Sequence, residues 1–299
     1  MASAARIALD RAADRGELSF SSSNTIADRF SHFASFAKSE GVGRMERITP
    51  QLAQEYGQGL ADQVAAGRMT PAYAQNMVSA INTVMHQVRD WRSVSPTKDC
   101  GIQQRSHVRD MPPQGIERGS QLAPALEALR EAGQLRVAAV AELARELGLR
   151  SKEASMLDAV RALREAENRG AVTISQGTKG GRTREVPIAS PTAREALQRA
   201  AEAQGSARAV MPPHQNWRQW RETGLRDARE ILKQYGIDRL HDLRAAYACE
   251  RYEQLTGHAA PVQGGQIQDR DADRHAREVI SKELGHHRIE VVASYLGGR

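Results

Sequence analysis

The chain has 299 residues, more than the roughly 100–200 of one typical domain, and so predicts two domains. Its 42 Lys and Arg residues exceed its 36 Asp and Glu residues, and the resulting net charge of +6 favours a polyanionic partner. Two distant cysteines, Cys100 and Cys249, argue against a disulfide framework and a zinc site, and the lack of a signal-like or membrane-spanning apolar run favours a cytoplasmic protein without a membrane partner.

The first 95 residues predict a small helical domain. In the segment TIADRFSHFASFAK, Ile26, Phe30 and Phe33 recur at helical spacing and form one apolar stripe. Two more helices are expected to begin at Thr49 and Thr70. Each threonine precedes a proline, and a hydroxyl cap before a first-turn proline is typical of helix starts.

Residues 96–119 predict an interdomain linker. The segment has no apolar period and contains Pro96, Pro112 and Pro113. An ordered surface loop of a single domain is the alternative. Its cations either contact the phosphates of a polyanion or are simply solvated. These cations are Lys98, Arg105, Arg109 and Arg118.

Residues 120–299 predict a second, mostly helical domain. A β-hairpin is expected over residues 171–188, where the alternating AVTISQ is followed by the glycine-rich GTKGGRT and the return REVPI. The stretch NWRQWRETGLRDAREILK predicts a core-anchored amphipathic helix, with contact to nucleic acid as the alternative. The polar residues 258–275 predict a loop that either regulates assembly or is tolerated surface. The fold class is mainly α with a small β-hairpin.

Two cations of this domain are candidates for phosphate chemistry. Arginine can donate two parallel hydrogen bonds to a phosphate, so Arg150, at a predicted helix start, is a candidate anion ligand. Lys179 lies at the glycine-rich hairpin tip and is a candidate proton donor, because an ammonium releases a proton more readily than a guanidinium. Each of them alone also fits an ordinary solvated residue.

Four further candidates lie nearer the C-terminus. His241 and Arg244 are three positions apart on a predicted helix and share a face, although a capping histidine beside a surface arginine is the alternative. His286 closes a predicted helix at LGH, nine positions before Tyr295, and His287 is a competing imidazole. Tyr295 is a candidate nucleophile, whereas an isolated tyrosine would be interpreted as structural.

The sequence resembles the tyrosine recombinases, the phage-integrase and Xer-like family. The resemblance rests on the order of its candidates, which are an arginine, a hairpin lysine, HxxR, LGH and a tyrosine. The resemblance covers residues 120–299 strongly and residues 20–95 weakly. It implies a helical core-binding, DNA-binding domain over 1–95, a linker over 96–119 and a mixed α/β catalytic domain over 120–299. It also implies phosphate binding by Arg150 and Arg244, general acid catalysis by Lys179, assistance by His241 and His286, and Tyr295 as the nucleophile.

The resemblance implies a site-specific DNA recombinase or integrase of a mobile genetic element. In such a mechanism Tyr295 attacks a phosphodiester of double-stranded DNA, forms a 3′-phosphotyrosyl bond and frees a 5′-hydroxyl that attacks the partner strand. The phosphodiester energy is kept in the protein–DNA bond, so no metal, cofactor or ATP is implied. A homotetramer on two DNA sites and a nucleoid-associated location in the cytoplasm are implied as well.

Two other classes stay open, a catalytically inactive DNA-binding relative that acts as a regulator or accessory factor, and a type IB topoisomerase. The presence of all six candidate residues favours an enzyme, and the small helical N-terminal domain favours recombination. Two features depart from the family pattern. A long interval of 51 positions separates Arg244 from Tyr295, and only four residues follow Tyr295, so the sequence does not predict how subunits dock.

Overall fold

The computed structural model describes residues 1–298 and divides the chain into two compact units, Met1–Ser106 and His107–Arg299. The boundary falls inside the segment predicted as a linker. Before the boundary, Cys100 and Ile102 are buried in the core of the first unit. After it, the backbone N–H of Arg109 donates to the carbonyl of Ala293 at 2.9 Å within the second unit. The chain on both sides of the boundary is therefore packed against its own unit.

The first unit is a helical bundle. Its four helices are α1 (Ala2–Asp14), α2 (Phe20–Ser39), α3 (Pro50–Ala65) and α4 (Pro71–Val88). The hydroxyl of Thr49 accepts from the N–H of Leu52 at 3.2 Å and that of Thr70 from the N–H of Tyr73 at 3.3 Å, which confirms both predicted helix starts. The sequence does not predict α1, because its buried face is made mostly of alanine.

The second unit surrounds one buried helix, α6. Ten helices are described, α5 (Ala123–Glu131), α6 (Leu135–Leu147), α7 (Ser151–Met156), α8 (Ala159–Arg169), α9 (Pro191–Gln204), α10 (Trp217–Glu222), α11 (Gly224–Gln234), α12 (Leu240–Thr256), α13 (Arg270–Glu283) and α14 (Ala293–Leu296). A π-helical turn, Arg118–Leu122, leads into α5. Every residue of α6 from Val137 onward is buried, because α9 and α12 pack against it on different sides.

The predicted hairpin is present. Strands β1 (Ala171–Ile174) and β2 (Arg184–Pro187) pair antiparallel, with Val172 opposite Val186 and Ile174 opposite Arg184. At the tip, a 3-10 turn over Lys179–Gly181 contains two glycines with positive φ, Gly180 at 73° and Gly181 at 69°. A conformation of this kind favours glycine, so the local sequence sets the shape of the tip.

Two local predictions need correction. The last six positions of the predicted 258–275 loop belong to α13, which begins at Arg270. The carboxylate of Asp269 caps this helix by accepting from two backbone N–H groups. The first turns of the helix are mostly charged, so no apolar stripe marks them. The tryptophan-containing stretch forms two helices with a break at Thr223, although Trp220 is buried as the core-anchored interpretation requires.

Within residues 1–298, no helix is both long enough and apolar enough to cross a bilayer.

Candidate active site

Tyr295 lies in the one-turn helix α14, with 3% of its surface exposed. Its hydroxyl is 3.3 Å from Nε of Arg244, which donates to it, and 3.0 Å from Nε2 of His286. The ring of His241 is also close, with its centroid 5.5 Å from that of the tyrosine. The structure therefore brings four of the six predicted site residues together.

Arg244 is fully buried in α12, and its position is fixed by backbone carbonyls. Nη1 donates to the carbonyl of Gly148, where α6 ends, and Nη2 donates to the carbonyl of Leu284 at 2.6 Å, just after α13. Burial lowers the pKa of Arg244 to about 10, so the guanidinium stays charged at neutral pH. One side chain thus joins three helices and presents its Nε to Tyr295.

His286 follows α13, where Gly285 takes a positive φ of 68°. The N–H of His286 donates to the carbonyl of Ser281 at 2.8 Å, and Arg244 Nη2 lies 3.3 Å from its Nε2. Burial lowers the pKa of His286 to about 3, with help from the charges of Arg244 and Arg150. At neutral pH the imidazole is therefore uncharged, and Nε2 can accept a hydrogen bond from the tyrosine.

The competing imidazole, His287, is exposed and has a φ of 54°, so the contact with Tyr295 belongs to His286.

His241 lies in the first turn of α12 and is exposed, with its ring beside that of Tyr295. Partial desolvation beside the site lowers the pKa of His241, and the positive charge of Arg244 adds to the effect. The shared helix confirms the predicted placement of His241 and Arg244 on one element. At neutral pH the imidazole is available as a hydrogen-bonding group at the solvent-facing edge of the site.

Arg150 reaches the site through an acidic residue that sequence reasoning missed, Glu153. Arg150 immediately precedes α7 as its N-cap residue. Its Nη1 donates to Glu153 at 2.6 Å, and its backbone N–H donates to the same carboxylate at 2.8 Å. Glu153 also lies 3.7 Å from Nη1 of Arg244. Burial alone would raise the pKa of Glu153, but hydrogen bonds and charge from Arg184 and Arg150 outweigh it and lower that pKa to about 2.

Arg184 is the second residue that sequence reasoning missed. Its Nη1 and Nη2 donate to the two oxygens of Glu153 at 2.9 and 2.7 Å, and its Nε donates to the carbonyl of Glu283 at 2.7 Å. Arg184 therefore connects the hairpin with α7 and with the segment that precedes His286. The signals were present: Arg184 alternates in phase with the buried Val186, and Glu153 has the spacing of a helix-capping acid.

Lys179 stands apart from the cluster. It is exposed at the hairpin tip, and in the part of the chain that the structure describes no hydrogen bond or ion pair involves its ammonium. Two of the predicted linker cations are engaged elsewhere: Arg109 pairs with Asp242, and Arg118 pairs with Glu146 and Glu250. These two arginines stabilise the second unit by contacts within it.

No group of three or more His, Cys, Asp or Glu side chains between residues 1 and 298 is arranged to hold a metal ion.

Part of the chain matches a known protein family. The model of the Integrase family matches residues 117–250, a span that contains Arg150, Lys179, His241 and Arg244 but ends before His286 and Tyr295. No curated protein matches the chain at a significant level.

Three solved structures share the fold. The integrase of transposon Tn1549 in complex with transposon right end DNA has a TM-score of 0.61 and 11% identity, over 99% of this chain and 95% of that one. A lambda integrase tetramer bound to a Holliday junction has a TM-score of 0.60 and 16% identity, over 97% and 76%. The XerH recombinase in its pre-cleavage complex with difH has a TM-score of 0.56 and 15% identity, over 99% and 82%.

Residues 117–250 therefore match the Integrase family, and the chain shares its fold with solved recombinases and integrases. The match of residues 117–250 to the Integrase family agrees with the predicted resemblance to tyrosine recombinases, and the predicted mainly helical fold with one small antiparallel sheet is confirmed.

Proposed function

We propose that the chain cleaves and rejoins DNA through a 3′-phosphotyrosyl intermediate on Tyr295. The observation that carries this proposal is the position of the tyrosine hydroxyl, between a charged guanidinium at 3.3 Å and an uncharged imidazole at 3.0 Å. A phenol becomes nucleophilic when a base takes its proton and a cation stabilises the oxygen, and Arg244 and His286 can supply both effects.

Residues of this chain can supply the nucleophile, the proton acceptor and the proton donor that DNA cleavage needs. The oxygen of Tyr295 bonds to the scissile phosphorus as the bond from phosphorus to the 5′-oxygen breaks. The tyrosine proton passes to Nε2 of His286, and Lys179 gives a proton to the leaving 5′-oxygen. Arg150 and Arg244 stabilise the charge that develops on the non-bridging oxygens, with His241 as a further hydrogen-bond donor.

Strand transfer reverses the same step. The free 5′-hydroxyl of the partner strand attacks the phosphotyrosyl bond, the new phosphodiester forms, and Tyr295 is released with its proton restored. Each bond broken is replaced by another of the same kind, so the reaction needs no external energy source. The exposed position of Lys179 fits a hairpin tip that approaches the scissile phosphate when DNA binds.

Double-stranded DNA and further copies of the chain are the partners we propose. The solved relatives are described as a lambda integrase tetramer on a Holliday junction and as a transposon integrase on transposon DNA. By analogy, four copies of this chain act on two DNA sites, and the helical first unit supplies a second DNA contact. Phosphate contacts dominate binding of this kind, so affinity should fall steeply as salt increases.

A nicked suicide substrate tests the proposal. Cleavage of such a DNA releases a short fragment and leaves the protein covalently attached. We expect the wild-type chain to form this adduct and Tyr295→Phe to form none while binding DNA normally. Tyr235→Phe is the matched control, because Tyr235 is half-buried at the end of α11 and away from the cluster.

An adduct in the Tyr295→Phe variant would refute the assignment of the nucleophile. Absence of any adduct with the wild-type chain, together with normal DNA binding, would favour the inactive DNA-binding relative. Relaxation of supercoiled plasmid without exchange between two sites would favour a type IB topoisomerase.

A further inference from the structure

Arg277, on α13, is a buried cation that donates hydrogen bonds to the backbone directly after α14. Its surface is 2% exposed. Nη1 donates to the carbonyl of Gly297 at 3.2 Å, and Nη2 donates to the carbonyl of Gly298 at 3.1 Å. These are the two residues that directly follow α14, the helix that holds Tyr295. The guanidinium therefore holds the segment on the C-terminal side of the candidate nucleophile.

Other groups fix the orientation of this guanidinium. Nε of Arg277 donates to Asp273 at 2.7 Å, and the same carboxylate oxygen accepts from the hydroxyl of Tyr252 at 2.9 Å. A buried ion pair is seldom more stabilising than apolar side chains of similar volume, so packing alone does not explain an arginine here. An apolar side chain could not donate to two consecutive carbonyls, whereas the planar fork of arginine can.

The short helix α14 depends on such contacts. It has four residues, and isolated helices of fewer than about 12 residues are marginal in water. On its N-terminal side, the N–H of Arg109 donates to the carbonyl of Ala293 at 2.9 Å. On its C-terminal side, Gly297 has a φ of 85° and passes so close to Val262 that an added Cβ would lie 2.9 Å from the backbone nitrogen. Arg277 anchors this second end.

We propose that Arg277 is a positioning residue for DNA cleavage. By holding the carbonyls of Gly297 and Gly298, it fixes α14 and keeps the hydroxyl of Tyr295 between Arg244 and His286. The inference depends on the proposed role of Tyr295 as the nucleophile. Arg277 itself touches no reacting atom, so its loss should change the cleavage rate and leave DNA affinity unchanged.

Two substitutions and one control test this role. Arg277→Ala removes every donor, whereas Arg277→Lys keeps the charge beside Asp273 but cannot donate to both carbonyls in fixed directions. Arg274→Ala is the control, because Arg274 lies one turn earlier on α13, is 67% exposed at its side chain and pairs with Glu278 on the surface. All proteins are assayed below the melting temperature of the least stable variant.

The first measurement is the single-turnover rate of covalent adduct formation on saturating suicide DNA. A misplacement of about 1 Å can cost about a hundredfold in rate, so we expect Arg277→Ala to slow the adduct roughly 10- to 100-fold. Arg277→Lys should recover much of the thermal stability but little of the rate. The second measurement is hydrogen exchange of residues 289–298 in the free proteins, which should become faster in both Arg277 variants and stay unchanged in Arg274→Ala.

Wild-type adduct rates in both Arg277 variants would overturn the proposal. A slower adduct rate together with wild-type hydrogen exchange of residues 289–298 would overturn it too. The loss of rate would then not arise from a change in the position of α14 and the residues beside it. If the wild-type chain forms no adduct, the failure lies with the nucleophilic role of Tyr295, and the exchange comparison separates that result from a failure at Arg277.

Discussion

Replacing Glu153 by glutamine tests the electrostatic centre of the site. Both oxygens of this fully buried carboxylate accept from the buried Arg184, and one accepts from Arg150 Nη1. Glutamine keeps the size of the side chain and removes its charge. The variant therefore leaves Arg184 with no anion in contact and weakens the attachment of the hairpin to α7.

The pKa of Glu153 sets the size of the effect. A decrease from the ordinary 4.5 to about 2 corresponds to about 3 kcal/mol of stabilisation at neutral pH. Removing one partner of a buried ion pair costs about 3–5 kcal/mol in other proteins, which agrees. Because the pKa is lowered in the folded state, this contribution is complete above pH 4.5 and is lost as the pH falls toward 2. We expect Glu153→Gln to lower the free energy of unfolding of the second unit by about 3 kcal/mol at pH 7.

Native-state hydrogen exchange of the amides of α6 measures this free energy for the second unit alone. The control is Glu185→Gln, since Glu185 lies on β2 next to Arg184, is 63% exposed at its side chain and pairs on the surface with Arg169, the last residue of α8. An exposed pair of this kind contributes about 0–1 kcal/mol. The reasoning would be refuted if Glu153→Gln lost no more free energy of unfolding than the control variant. It would also be refuted if the difference in free energy of unfolding between Glu153→Gln and wild type did not become smaller below pH 4.5.

Two further predictions concern proton transfer and protonation. Lys179→Ala should slow cleavage, and a 5′-phosphorothiolate substrate should restore the rate because a sulfur leaving group needs no proton; failure to restore it would remove the acid role. His286→Gln should gain stability relative to wild type as the pH falls from 6.5 to 5, by at most about 2 kcal/mol in thermal melts, because the lowered pKa of His286 makes its protonation unfavourable in the fold. A stability difference that does not change with pH would contradict this.

Local patterns were sufficient to predict the hairpin and the helices that have a clear cap or apolar stripe. Thr49 and Thr70 act through contacts within their own first turns, so their caps can be recognised without knowledge of the fold. The same is true of the hairpin, whose strands pair across a short glycine-rich turn. The start of α13 was missed because its charged first turns carry no apolar stripe, and the capping Asp269 lies within a polar stretch.

Long-range pairing explains what was missed at the site. The roles of Glu153 and Arg184 arise from a contact across 31 positions of sequence. Taken alone, each is a charged residue of a type that usually lies at the surface. The order of Arg150, His241, Arg244, His286 and Tyr295 was recognised because the family pattern supplies that long-range information. Arg277 lies outside the pattern, and its burial and its contacts with Gly297 and Gly298, which distinguish it from the exposed Arg274 of the same helix, appear only in the fold.

The charge balance of the cluster favours an added anion. Three guanidinium groups, from Arg150, Arg184 and Arg244, face one carboxylate, that of Glu153. Protonating His286 would add one more positive charge, which is why burial and these arginines keep its pKa low. A phosphate bound by Arg150 and Arg244 would offset their charge and raise the pKa of His286. The imidazole would then accept the proton of Tyr295 more readily with DNA in place than without it, so the same charges that attract the phosphate would restrain the nucleophile until it arrives.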